Sequence, residues 1–303
     1  MRVLSIDGGG IRGIIPALVL CHLEQRTGRP VAALFDLVAG TSTGGILATA
    51  LTRPGARPAS EVLELYRTEG PRIFRRSLAK RITSVDGVLD EKHDDAALNE
   101  VLGRYLGDGR LSDATTRVLV TAYDLLGREP WLFKSWRPDR DGTLTDVARA
   151  TSAAPTYFEP WPTGSLVLVD GGVYATNPAM CAYAEARRLQ DDAPSLVLSL
   201  GTGQLTRPIT FAQASGWGQL EWVRPVIDVV FDGVADTVDY QLRQLMPPEA
   251  YLRMQPRLDR ASDALDDASP TNLALLQEQA RELVAQQSGE LDRIAELLLA
   301  PQA

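Results

Sequence analysis

Residues 2–13 read RVLSIDGGGIRG. Val3, Leu4 and Ile6 run without a break into Asp7 and three consecutive glycines. This predicts a strand over residues 2–6 that enters a tight loop at residues 8–13, followed by a helix over about residues 14–27. The same alternation recurs along the chain. Strands are predicted over residues 35–39, 117–122, 131–135, 166–169 and 196–200, and helices over 43–52, 145–154 and 178–189. Ser60 and Asp95 read as N-caps, the first for a helix through Val62, Leu65 and Tyr66, the second for one through Leu98, Val101, Leu102 and Tyr105. Strands alternating with helices predict an α/β fold with a mainly parallel central sheet flanked by helices. After Gly203 the texture changes. Leu273, Leu276, Ala280, Leu283 and Val284 have helical spacing, and Leu291, Ile294, Leu297 and Leu298 continue it. Residues 206–303 are therefore expected as loops and helices packed on an α/β core of residues 1–205, the whole forming one domain.

Composition excludes several classes. With 303 residues, 45% hydrophobic and 23% charged, the chain is neither disordered nor fibrous. Two cysteines, Cys21 and Cys181, supply neither a disulfide framework nor a zinc cluster. The net charge of −8 argues against nucleic acid as a partner. Residues 261–303 hold eight acids against Arg281 and Arg293, a net of −6, which leaves −2 for the rest. No apolar run reaches the roughly 18–20 residues of a membrane span, and the first residues do not form a signal peptide. The expectation is a cytoplasmic protein.

The glycine loop admits two readings. Gly8, Gly10 and Gly13 match G-x-G-x-x-G, the dinucleotide fingerprint. That site also needs an acid at the end of the second strand to hold the ribose, and here the strand ends at Ala39-Gly40. No Gly-Lys-Ser/Thr follows, so a nucleotide P-loop fails too. The other reading uses the same physics: successive backbone N–H groups beside a helix N-terminus stabilise an oxyanion as well as a phosphate.

Gly40-Thr41-Ser42-Thr43-Gly44 is G-x-S-x-G between a predicted strand and a predicted helix, the context of a nucleophile elbow. The alternative role for Ser42 is a helix N-cap. Only His22 and His93 could serve a triad. His22 lies well inside the first helix. His93 falls in Glu91-Lys92-His93-Asp94-Asp95, which reads as a solvated charged loop. The remaining base is a carboxylate. Asp170-Gly171-Gly172 follows the strand at 166–169, at a strand end where α/β sheets assemble sites; a turn-capping role is the alternative.

Together these segments resemble the patatin-like phospholipase family. Residues 7–13 are similar to its DGGGxRG motif, residues 40–44 to its GxSxG and residues 170–172 to its DGG. Thr151-Ser152-Ala153-Ala154-Pro155-Thr156-Tyr157-Phe158, Asn177-Pro178 and Ser199-Leu200-Gly201-Thr202-Gly203 resemble further family segments, as does the region around Val238-Asp239-Tyr240. The resemblance implies a catalytic dyad of Ser42 and Asp170. It also implies an oxyanion hole from the N–H groups of Gly8, Gly9 and Gly10, helped by Arg12, and lipid acyl hydrolysis through an acyl-enzyme with no metal or cofactor. An ordinary aspartate near pKa 4 is a weak base for a serine hydroxyl, so the oxyanion hole is expected to carry much of the catalysis. Competing readings are a storage or lipid-binding protein on the same scaffold and a signal-activated effector that degrades membranes.

The expected partners are a lipid substrate and, transiently, a membrane surface. Residues 67–82 contain Arg67, Arg72, Arg75, Arg76, Lys80 and Arg81, with Phe74, Leu78 and Ile82 at four-residue intervals. They admit two readings: a basic amphipathic helix, starting near Pro71, that docks on a lipid interface, or a helix whose apolar face packs on the core with its arginines solvated or paired to acids.

Overall fold

The computed structural model describes residues 1–74, 93 and 95–301. Among them, the strands in chain order are β1 (Arg2–Ile6), β2 (Leu37–Thr41), β3 (Arg117–Asp124), β4 (Glu129–Lys134), β5 (Trp161–Thr163), β6 (Leu166–Asp170), β7 (Leu196–Leu200), β8 (Gln204–Leu205), β9 (Tyr251–Met254) and β10 (Arg257–Leu258). The helices are α1 (Ile14–Thr27), α2 (Thr43–Thr52), α3 (Ala59–Ile73), α4 (Asp95–Leu106), α5 (Leu144–Thr151), α6 (Gly172–Ala175), α7 (Ala179–Gln190), α8 (Phe211–Ala214), α9 (Gln219–Leu245), α10 (Pro270–Gln286) and α11 (Ser288–Leu299). The main sheet runs β5-β6-β3-β2-β1-β7-β9, with β4 also on β3. β3, β2, β1, β7 and β9 are mutually parallel. β4, β5 and β6 join antiparallel.

Alternate residues of the parallel strands enter two separate apolar layers, as a two-residue period requires. Leu4, Ile6, Val38, Val120 and Leu198 face α1, α2, α3 and α10. Val3, Leu37, Ala39, Leu119 and Val197 face α7 and the carboxyl half of α9. Both faces are covered, so the central strands are continuous apolar runs, which made them readable in the sequence.

The register of β3 creates the site. β3 is longer than β2: residues 117–121 pair with β2 and residues 122–124 with β6. β4 pairs with residues 119–124 and overlaps both, so β2 and β6 share the opposite flank of β3. They meet end to end there, with Thr41 opposite Thr121 and Asp170 opposite Ala122. The placement of Asp170 at a strand end beside the parallel strands holds. Its direction of approach differs from a parallel α/β site, because β6 comes from the other side.

Several boundaries differ from expectation. The second strand lies at Leu37–Thr41, not 35–39. α3 begins one residue before Ser60, and its first amide is taken by Glu24 Oε2 at 2.8 Å rather than by a serine cap. Asp95 opens α4, but its carboxylate is paired with the buried Arg149. Residues 206–303 are not loops and helices alone, because β9 forms an edge of the main sheet beside β7. Arg253 in the middle of YLRM hid that strand. The arginine is buried and makes a two-pronged ion pair with Asp7, at 2.9 and 2.5 Å, while also donating to Ser199 Oγ at 2.9 Å. Ser5, Ser199 and Arg253 form one row across β1, β7 and β9.

That ion pair ties the edge strand to the start of the glycine loop. Losing one member of a buried pair strands the other, typically at about 3–5 kcal/mol. Arg253→Ala is therefore expected to lower urea-unfolding stability by about that amount. Asp7→Asn/Arg253→Met should recover a substantial part. A loss within experimental error for Arg253→Ala would contradict the role given to the pair.

Candidate active site

Ser42 occupies a sharp turn between β2 and α2 with φ 54° and ψ −123°, a conformation that side chains rarely adopt. The turn is possible because its flanks carry no side chains. A Cβ on Gly40 would overlap the Gly44 carbonyl, and a Cβ on Gly44 would overlap that of Ile6. Ser42 stands at the N-cap position of α2, yet its side chain makes no capping bond. The hydroxyl is thus not consumed by the capping role that the sequence also allowed. Thr151 Oγ1 accepts from Ser42 N at 2.7 Å and pins the turn.

Asp170 is fully buried. Its Oδ1 accepts from Gly172 N at 2.7 Å. Among the described residues, Oδ2 closes no hydrogen bond. Burial pushes the carboxyl up to about 7 from an ordinary 3.8, and the nearby Ser42 hydroxyl and the Gly172 N–H draw it back only in part. Ser42 and Asp170 line the same pocket, and no hydrogen bond joins the serine hydroxyl to Oδ2. The expectation of an ordinary aspartate near 4 is corrected here, because this carboxyl has no cation partner among the causes of its shift and no water-exposed face.

The segment from Thr151 to Phe158 bridges the two groups. Thr151 holds Ser42, the Ala153 carbonyl accepts from Asp170 N at 3.1 Å, and Tyr157 and Phe158 line the pocket in which both groups lie. Most of the remaining wall is apolar, with Ile46, Leu65, Ile73, Phe74, Leu98 and Phe231, and Thr43, Tyr66 and Ser152 are its polar members.

The glycine loop departs from expectation at two positions. Gly8 donates its N–H to the Thr176 carbonyl at 2.9 Å, so it has none to offer an oxyanion. The Gly8 carbonyl in turn accepts from Thr202 Oγ1 at 2.6 Å. Gly9 and Gly10 line the pocket. Arg12 does not. It lies behind the loop, where its backbone N–H and Nε donate to the Gly9 carbonyl at 3.1 and 3.3 Å. Arg12 therefore orients the Gly9–Gly10 peptide instead of reaching into the pocket. Burial lowers its pKa, against the opposing pull of Asp232, Asp228 and Asp263.

His93 is buried, not solvated, which corrects the reading of its charged neighbourhood. Its ring packs against Phe74, Tyr157 and Phe158 with centroids 5.5–6.1 Å apart, and Nε2 lies 3.1 Å from Asp266 Oδ2. It stands behind the aromatic wall and is not a lining residue. His22 is half-buried on α1, as expected. Of the residues read as a docking helix, 67–73 end α3: Arg67 pairs with Glu64, Arg72 with Glu69 and Glu100, and Ile73 and Phe74 line the pocket. Arg75, Arg76, Leu78, Lys80, Arg81 and Ile82 lie outside the described residues.

Residues 4–183 match the family model described as patatin-like phospholipase. The chain is 34% identical to patatin-like protein 2 of Arabidopsis thaliana, over 94% of this chain and 83% of that protein. This chain belongs to the patatin-like phospholipase family. Patatin-like protein 2 of Oryza sativa subsp. indica is likewise 34% identical, over 90% of this chain and 81% of its own. A Solanum tuberosum relative named probable inactive patatin-3-Kuras 1 is 33% identical over 91% and 84%. Among solved structures, that of VipD from Legionella pneumophila aligns with 94% of this chain and 67% of its own, at 11% identity and a TM-score of 0.41. Membership supports lipid acyl hydrolysis in general. Since the family includes a relative named inactive, activity in this patatin-like chain is argued from its own serine and carboxylate.

The raised pKa of Asp170 has a consequence for stability. Between 3.8 and about 7 the folded protein holds a proton that the unfolded chain releases. Stability is therefore lost as pH rises through that window. Asp170→Asn, uncharged throughout, is expected to raise the thermal midpoint at about pH 8 and to leave it unchanged at about pH 3.5. Equal midpoints at both pH values would contradict the buried, raised carboxyl.

Proposed function

We propose that this protein hydrolyses fatty acyl esters of glycerophospholipids or glycolipids through a Ser42–Asp170 dyad. The observation that carries this reading is the meeting of β2 and β6, which sets a carboxylate oxygen with no hydrogen bond among the described residues beside a serine on a strained turn. Asp170 Oδ2 takes the Ser42 proton as Oγ attacks the ester carbonyl carbon. The carbonyl oxygen becomes an oxyanion that the Gly9 and Gly10 N–H groups receive, oriented by Arg12 from behind. When the tetrahedral species collapses, the bond to the alcohol breaks and Asp170 returns the proton to that leaving group. Water then attacks the acyl-enzyme and gives a proton to the same carboxylate; the bond to Ser42 Oγ breaks, Asp170 returns that proton to Oγ, and the fatty acid leaves. A base near pKa 7 is half ionised at neutral pH and far stronger than a solvent-exposed aspartate. The apolar wall suits an acyl chain.

Hydrolysis of a soluble ester should climb about tenfold per pH unit up to about pH 7 and level off above it. A fluorophosphonate should label Ser42, and Ser42→Ala should lower ester turnover by about a thousandfold or more. His93→Asn should keep the labelling, because His93 stands outside the pocket. Labelling that survives Ser42→Ala, or turnover lost in a folded His93→Asn protein, would contradict the dyad.

A further inference from the structure

α9 is apolar on two nearly opposite faces. Phe231, Ala235, Val238 and Leu242 are buried, and Phe231 enters the pocket of Ser42 and Asp170. On the outer side, Trp222, Val223, Val226, Val229 and Val230 recur at i, i+1, i+4, i+7 and i+8, one stripe of a helix. They are 37–50% exposed. Ahead of α9, Ile209 is 43% exposed and Phe211 88% exposed. A groove that includes Ile209, Trp217 and Val229 joins this segment to the stripe, and the Trp217 and Trp222 rings meet edge to face with centroids 5.0 Å apart. Single exposed apolar residues are ordinary on a protein surface, whereas a contiguous patch of this kind marks an interaction site.

Charge and position select the occupant. Between residues 208 and 230 the charged residues are Glu221, Arg224 and Asp228, so the segment carries no excess of cations, in a chain that is 23% charged overall. A surface built for anionic lipid carries lysines and arginines. In the groove beside this stripe the one arginine, Arg207, is matched by Asp263 at 3.8 Å, and Asp228 and Asp232 add negative charge. Tryptophan and phenylalanine beside branched aliphatics, without excess cations, suit an uncharged lipid interface: indoles settle at headgroup level and aliphatics enter the acyl boundary. The patch also backs directly onto the pocket wall, since one helix, about 10 Å across, carries both the outer stripe and Phe231.

We infer that the outer face of α8 and α9, centred on Phe211, Trp222, Val223 and Val226, docks this protein on a zwitterionic lipid surface and brings the acyl pocket to its substrate. The purpose of the docking rests on the hydrolase reading above, but docking itself is measured without turnover. Ser42→Ala protein is co-sedimented with phosphatidylcholine vesicles, and with vesicles containing added phosphatidylglycerol, across a salt series. The same is done with Phe211→Asp and Val226→Asp in that background, and thermal midpoints and sedimentation velocity establish folding and oligomeric state. The expected result is binding to phosphatidylcholine that salt and phosphatidylglycerol do not strengthen, and that each substitution weakens by about tenfold or more at unchanged thermal midpoint. Vesicle binding equal in parent and variants would overturn the inference. So would the absence of binding by the parent, including the case of a dimer that the substitutions dissociate. Wild type that binds vesicles through this face yet releases no fatty acid from phospholipid, glycolipid or a soluble acyl ester would sink the hydrolase reading and leave the docking surface standing.

Discussion

The site depends on one constraint: β2 and β6 share a flank of β3 and terminate against each other. β3 outlasts β2 by three residues, Ala122 to Asp124, and β6 fills the vacated edge from the opposite direction. Two chain ends that are distant in sequence are thereby brought together with the precision of backbone hydrogen bonds. The chain leaving β2 must turn sharply to avoid β6, and it does so at Ser42, with a positive φ made possible by the bare flanks of Gly40 and Gly44. Strain of this sort costs about 1–3 kcal/mol and persists only where surrounding structure enforces it. Here the β3 register, the Thr151 bond and the first turn of α2 all enforce it.

The same crowding makes the Asp170 carboxyl hold its proton more tightly. Asp170 ends its strand inside the protein, with a backbone amide on one oxygen and, among the described residues, no cation to stabilise its charge. Desolvation is unfavourable for the folded state, and chemically useful for that reason, because a carboxyl that holds its proton more tightly can also extract one from a serine. Asp7, just after β1, meets the same burial differently: it is locked to Arg253 and so serves as structure, although burial still raises its pKa against the pull of that arginine.

Much of this was legible in the sequence, for identifiable reasons. Central strands buried on both faces are uniform apolar runs, and loops that must admit close backbone approach are spelled in glycine. Those two signals located Ser42, Asp170 and the Asp7–Gly13 loop. What escaped was decided by long-range partners. The edge strand at Tyr251–Met254 carries an arginine whose charge makes sense only once Asp7 stands across two strands from it. His93 lies in a charged run yet is buried, because three aromatic rings and Asp266 close around it. The glycine loop was readable as a candidate oxyanion site, but its sequence does not say which amides remain available. Gly8 is spent on Thr176, and Arg12 works from behind. No local pattern encodes such pairings.

The central claim is that Asp170 activates Ser42 for a covalent step. The most direct test is rapid-quench mass spectrometry of the protein during turnover of a soluble acyl ester, with peptide mapping of any adduct. The account predicts an acyl group on Ser42 before the steady state, and its loss in Asp170→Asn. An acyl group on another residue, or Ser42 acylated as fast without the Asp170 carboxylate as with it, would contradict the account.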